Sequence, residues 1–140
     1  MRRIVPYTCK MQVTGRLPKG SRSSCPAACA LDIAGDRWTL LIVRDLLRGR
    51  DTYTRLADSD EKIPTNILAD RLKKMEKNGL VEAKPYQARP LRYSYSLTEK
   101  GRDLGKVLAA VAQWGDKHIR GTVIAPEFRS RRRTGGVKRL

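Results

Sequence analysis

Residues 63–80, IPTNILADRLKKMEKNGL, constrain the fold more than any other stretch of the 140-residue chain. Pro64 suits the first turn of a helix, where its missing N–H has no partner to lose. Asn78-Gly79 is a stop signal, because glycine enters the left-handed turn after a helix without a Cβ clash. Between these ends Leu68, Leu72 and Met75 recur at i, i+4 and i+7 and form one apolar stripe. At about 100° per residue, Asn66, Asp70, Lys73 and Lys77 fall roughly opposite that stripe. The spacing predicts a helix over 64–77, buried on one side and basic-polar on the other.

The segments around it define its setting. Pro26 opens a short helix over 27–34 that ends at Gly35. Asp36 is an expected N-cap for a second helix over 37–48, whose apolar face carries Trp38, Leu41, Ile42 and Leu46. Thr52 caps a short third helix with Tyr53 and Leu56, and Asp58-Ser59-Asp60 turns the chain towards Ile63. This brief connection makes the third helix and the 64–77 helix a helix-turn-helix pair. Past Gly79 the period changes: 80–86 reads as a strand and 87–90 as a turn. Leu91, Tyr93, Tyr95 and Leu97 then alternate with Arg92, Ser94 and Ser96. Thr98 caps a last helix over 99–120, where Leu104, Val107, Leu108, Val111 and Trp114 fall at helical spacing. So long an apolar face exceeds what a core of this size needs, which predicts a second copy of the chain against those five residues. The expected fold is α+β and mainly helical: a winged helix-turn-helix with an added C-terminal dimerisation helix.

Charge suggests the partner. The net charge is +16, of which residues 1–24 carry +6 without a single acid and residues 121–140 carry +5. The expected organisation is a folded domain over 25–120 between two flexible basic arms, 1–24 and 121–140. Such a balance favours a polyanion, nucleic acid ahead of an anionic membrane surface. No apolar run approaches the ~18 residues that span a bilayer, and no signal-peptide core follows the N-terminus, so the expected location is cytoplasmic. Enzymatic readings fail on inventory, since the chain has no Gly-rich phosphate loop, no His between a nucleophile and an acid, and no pocket-flanked carboxylate pair. No cofactor is expected. His118 is the only histidine, and Cys25-x3-Cys29 alone is too few ligands for a metal.

A basic-polar helix face is ordinarily just solvated. Here the helix-turn-helix spacing, the hairpin and the charge agree on DNA. Major-groove readers present residues near the helix N-terminus, which nominates Thr65, Asn66, Ala69 and Asp70. Asn66 suits bidentate bonding to adenine and Thr65 a phosphate or base edge, while Arg71, Lys73 and Lys74 suit phosphates. Asp70 either accepts from cytosine or pairs with Lys74 at i+4, and the pairing is favoured. Arg89 and Arg92 sit in the hairpin, where a narrow basic tip can follow a minor groove. The arms add affinity without sequence information, through counterion release. Cys25, at a helix N-terminus with Arg22 nearby, is the candidate redox-sensing thiol, against a reading in which Cys25 and Cys29 are inert. Cys9 lies in the first arm.

The ordered set of segments resembles the HxlR-type winged-helix transcriptional regulators of bacteria, relatives of the MarR-type group. The resemblance spans about 25–115. It lies in Cys25-Pro26, Gly35-Asp36-Arg37-Trp38-Thr39-Leu40-Leu41-Ile42, Tyr53-Thr54-Arg55-Leu56 and Asn78-Gly79-Leu80-Val81-Glu82. It continues in Pro90-Leu91-Arg92-Tyr93-Ser94-Tyr95-Ser96-Leu97-Thr98 and Gly101. It implies a homodimer formed by the first and last helices, a palindromic operator, and a cysteine matching Cys25 that in several members senses electrophiles or oxidants. Members commonly carry a neutral polar residue where this chain has Asp70, so base preference does not transfer. The expected function is a sequence-specific double-stranded-DNA-binding regulator, a homodimeric repressor responsive to oxidants through Cys25. Its rivals are a small-molecule-responsive regulator with inert cysteines and a non-specific nucleic-acid-coating protein driven by the arms.

Overall fold

The computed structural model describes Leu17 and residues 19–129. In chain order these form α1 (Pro26–Ala34), α2 (Thr39–Leu47), α3 (Tyr53–Ala57), α4 (Thr65–Lys77), β1 (Val81–Ala88), β2 (Leu91–Leu97), α5 (Glu99–His118) and a single 3-10 turn at Pro126–Phe128. The architecture is α+β and mainly helical, with β1 and β2 forming a two-stranded antiparallel sheet in which Val81 faces Leu97 and Ala88 faces Leu91.

Helix ends follow the local chemistry. Asp36 does cap, but for a turn: its Oδ1 accepts from the amides of Trp38 at 2.8 Å and Thr39 at 3.0 Å, so α2 begins at Thr39 rather than at the expected residue 37. Thr52 caps α3 through the Arg55 amide, and Gly79, with φ of +70°, turns the chain out of α4. The first strand runs two residues beyond expectation, and Arg89-Pro90, joined by a cis peptide bond, forms the turn.

One apolar cluster holds these parts together. Leu68, Leu72 and Met75 of α4 are buried against Ile42, Val43, Leu56, Ile63, Leu80, Val81 and Leu97. Each such side chain contributes on the order of 1.5–3 kcal/mol by leaving water. The core stops short of the hairpin's outer end: Leu97 is buried and Tyr95 half-buried, but Tyr93 and Leu91 are exposed.

A polar junction fixes α4 to α5. The Thr98 hydroxyl donates to the Gly79 carbonyl at 2.5 Å, the Lys100 ammonium to the Asn78 carbonyl at 2.7 Å, and the Thr98 amide to the Leu80 carbonyl at 3.0 Å. Gly101 makes this approach feasible, since a Cβ there would stand 2.0 Å from the Leu80 carbonyl oxygen.

Parts of both expected arms contact the body. Past residue 120 the chain turns back and buries Phe128 between α2 and α5. The Gln113 amide donates to the Phe128 carbonyl at 2.9 Å, and Arg48 pairs with Glu127 at 3.1 Å. On the other side, Arg22 of the expected first arm is ion-paired with Asp32 of α1. Lys19 and Arg129 are exposed, while the other bases of the arms, Arg131-Arg132-Arg133 included, and Cys9 lie outside the described residues.

Candidate nucleic-acid interface

Thr65, Asn66, Asp70, Lys73 and Lys74 are exposed and Ala69 half-buried on α4, so the first two turns present short polar groups and the later ones ammonium groups. Their carrier is rigid because its opposite side is the core. Tyr53 of α3 sets the start of α4 by donating its hydroxyl to the Thr65 carbonyl at 2.6 Å. Asp70 takes Lys74 as its partner at 3.0 Å, one helical turn on. That pairing offsets the acid on the exposed face, along which Lys73 and Lys77 also stand.

Arg71, expected to take a phosphate, is half-buried. It points back into the molecule, where its Nε lies 3.5 Å from Asp36 Oδ1 and makes no hydrogen bond. Burial acts to raise the Asp36 pKa, but the Thr39 hydroxyl, the Trp38 and Thr39 amides and Arg71 outweigh it, and the carboxyl is held below its ordinary value. Arg71 therefore ties α4 to the α1–α2 turn.

At the hairpin tip Arg89 and Arg92 are both exposed. Sequence reasoning missed what lies behind them. Tyr53 and Thr54 of α3 face Tyr86, Leu91, Arg92, Tyr93 and Tyr95 across a cleft of about 380 Å³. The strict alternation of β2 signals an apolar face, but not that the body beneath reaches only as far as Tyr95. Because Tyr53 both lines the cleft and holds Thr65, the cleft adjoins the start of α4. Hydroxyls, aromatic faces and a guanidinium beside a polar helix start suit a sugar–phosphate strand.

The expected dimer residues separate into two groups. Leu108 is buried, and Leu104 packs on the core cluster, so both serve the chain's own interior. Val107, Val111 and Trp114, at i, i+4 and i+7, form the exposed face, and the Trp114 ring lies tilted at 40° against His118 with centroids 5.0 Å apart. Leu31 on α1 is likewise 65% exposed.

Cys25 is exposed at the N-cap of α1, and Cys29 donates its thiol to the Ser23 carbonyl at 3.3 Å; both thiols are free. Arg22, expected to assist Cys25, is instead engaged by Asp32. Among the described residues no helix is long and apolar enough to cross a membrane.

Comparison with known proteins accounts for this arrangement. The model of the HxlR-like helix-turn-helix family matches residues 33–122. An uncharacterised HTH-type transcriptional regulator of Mycobacterium tuberculosis is 40% identical over 90 residues, which are 64% of this chain and 56% of that protein. The match thus spans little more than half the relative's length. The crystal structure of PA1607 is 35% identical, with a TM-score of 0.65 over 82% of this chain and 80% of its own. The redox regulator HypR in its reduced form is 26% identical, with a TM-score of 0.61 over 66% of this chain and 92% of its own.

Proposed function

We propose, from the premise that the chain belongs to the HxlR-like helix-turn-helix family, that it is a DNA-binding transcriptional regulator rather than an enzyme. The observation that carries this reading is the exposed polar and basic face of α4, set beside the basic hairpin tip on one rigid body. In the reading, the start of α4 enters the major groove. Asn66 bonds a base edge, Thr65 takes a phosphate or a base, and Lys73 and Lys74 take phosphates. Arg89 and Arg92 follow the neighbouring minor groove, and the cleft behind them holds the strand between the two.

The active form is a homodimer on a palindromic operator, acting as a repressor in the cytoplasm by covering a promoter. Support for the dimer comes from the apolar faces left open on α1 and α5, because exposed stripes of this kind mark protein contacts. A redox response through Cys25 is supported by its exposure at the start of α1 and by the likeness to HypR.

Selection of binding sites from a random duplex pool tests the function, with an inverted repeat as the expected product. Deleting residues 1–16 and 130–140 removes nine bases. That deletion should lower affinity and flatten the salt dependence while operator preference survives. Preference that disappears with the arms would favour a non-specific coating protein and overturn the reading. For the redox response, Cys25→Ser is expected to bind the operator normally yet to keep it after diamide. Equal release by the variant removes Cys25 as the sensor.

A further inference from the structure

The segment after α5 occupies a trough that it does not fill. Phe128 lies between α2 and α5 with empty space on either side, a cavity of about 290 Å³ walled by Leu41, Leu108 and Ile124 and one of about 460 Å³ walled by Leu47, Gly105 and Ala109. Arg44, Arg48 and Phe128 border both cavities. Both spaces open to solvent. A ring bordered by two such spaces is therefore a plug that fills only part of a larger open trough. The space lies at the low end of the range for small-ligand sites.

The plug also displays what fits. Phe128 puts a phenyl ring in the trough, and its neighbour Glu127 puts a carboxylate on Arg48, with both Nε and Nη2 3.1 Å from Oε1. Arg44, the other cation at the rim, is held by Glu61 at 2.7 Å and Asp45 at 3.0 Å, so Arg48 is the one that can exchange its partner. Asp116 borders the smaller cavity and opposes a second negative group. We infer that the trough between α2 and α5 is a binding site for a small aromatic monocarboxylic acid, and that Glu127 and Phe128 occupy it when the acid is absent. The acid places its ring where Phe128 sits and its carboxylate on Arg48, displacing the segment that follows residue 125.

This site goes beyond the DNA-binding reading and is measured without DNA. Calorimetric titration of the full chain with 3-phenylpropionate is expected to show saturable binding, and acetate at matched ionic strength none. Phe128→Ala removes the internal competitor and should bind 3-phenylpropionate several-fold more tightly, because more of the protein is then open. Arg48→Gln should weaken binding roughly tenfold or more through loss of a charged hydrogen bond. Glu127→Gln keeps the ring and frees the cation, which should tighten binding to a smaller degree. Circular dichroism of each variant confirms the fold, which is expected to hold because Phe128 stands outside the core cluster. Absent binding by both wild type and Phe128→Ala, unchanged affinity in either Phe128→Ala or Arg48→Gln, or an equal response to acetate, would each overturn the assignment.

Discussion

Around α4 the chain exposes Thr65, Asn66, Lys73 and Lys74 over a closed core, whereas along α1 and α5 it exposes Leu31, Val107, Val111, Trp114 and Ile119. The first surface is content in water, because amides, hydroxyls and ammonium groups are hydrated wherever they stand. It becomes useful only when a polyanion arrives. The second surface is not content in water, since hydrocarbon left exposed at this density gains by being covered. A single sequence thus carries one face that is stable without a partner and one that gains by being covered, which in the proposed dimer is done by its twin. The helices behind the two faces meet at the Thr98 junction.

The strongest way to break the contrast is from below. Leu68→Ala empties a fully buried site under the α4 face and should destabilise the fold by about 3 kcal/mol or more in urea titrations. The charged surface would then be lost without any charge being touched. Trp114→Glu attacks the other face, placing a charge on a side chain that is 62% exposed in the single chain. Its unfolding midpoint as a monomer should hardly move, while sedimentation should report monomer at micromolar concentration. A dimer that persists would move the contact elsewhere. Asn66→Ala sharpens the comparison, because it should leave sedimentation unchanged and cost about 1–3 kcal/mol of discrimination at one operator position in competition assays.

Acid gives a smaller effect, and one that spares both faces. Hydrogen bonding from Arg44 is the main reason that the Glu61 pKa falls to about 2, with burial opposing it. The native pKa lies below the unfolded one, so the pair's contribution is fully present above about pH 4.5 and is lost as pH falls towards about 2. Glu61 is partly exposed, which screens the pair and limits it to about 1 kcal/mol. Glu61→Gln should lose that amount at neutral pH and show a shallower decline in acid. An unchanged acid limb would assign the acid sensitivity to Asp36 instead.

Most of the architecture is legible in the order of residues, because its elements announce themselves by period. The i, i+4, i+7 stripe of α4, the alternation of β2 and the caps at Thr52 and Thr98 each have a local physical cause. What escapes is what has no period. Phe128 and the Val123-Ile124-Ala125 run before it follow no helix or strand period, so nothing in its neighbours signals that it packs back against α2 and α5. Arg71 lies on the flank of α4, where a basic residue is assigned outward by default; only the position of Asp36 in space turns it inward. On α5 the five apolar residues look like one face. Leu104 and Leu108 actually lie on the flank towards α2 and Val107, Val111 and Trp114 on the next. For the site, the residue types at the start of α4 were readable, while the tyrosine cleft was not, since it depends on where the body beneath the hairpin ends.

Gly101 has a consequence for measurement along DNA. The 20-residue helix α5 is a rod of about 30 Å rooted at that glycine. A methyl group there would push the root away from the Leu80 carbonyl, and a tilt of about ten degrees would move the far end by about 5 Å, or one to two base-pair steps. In the proposed two-fold assembly the rod would set how far apart the two α4 helices stand, and position 101 would act as the zero mark of a ruler. Gly101→Ala, offered operators with graded spacers between their half-sites, should choose a different spacer from the one that the glycine protein chooses.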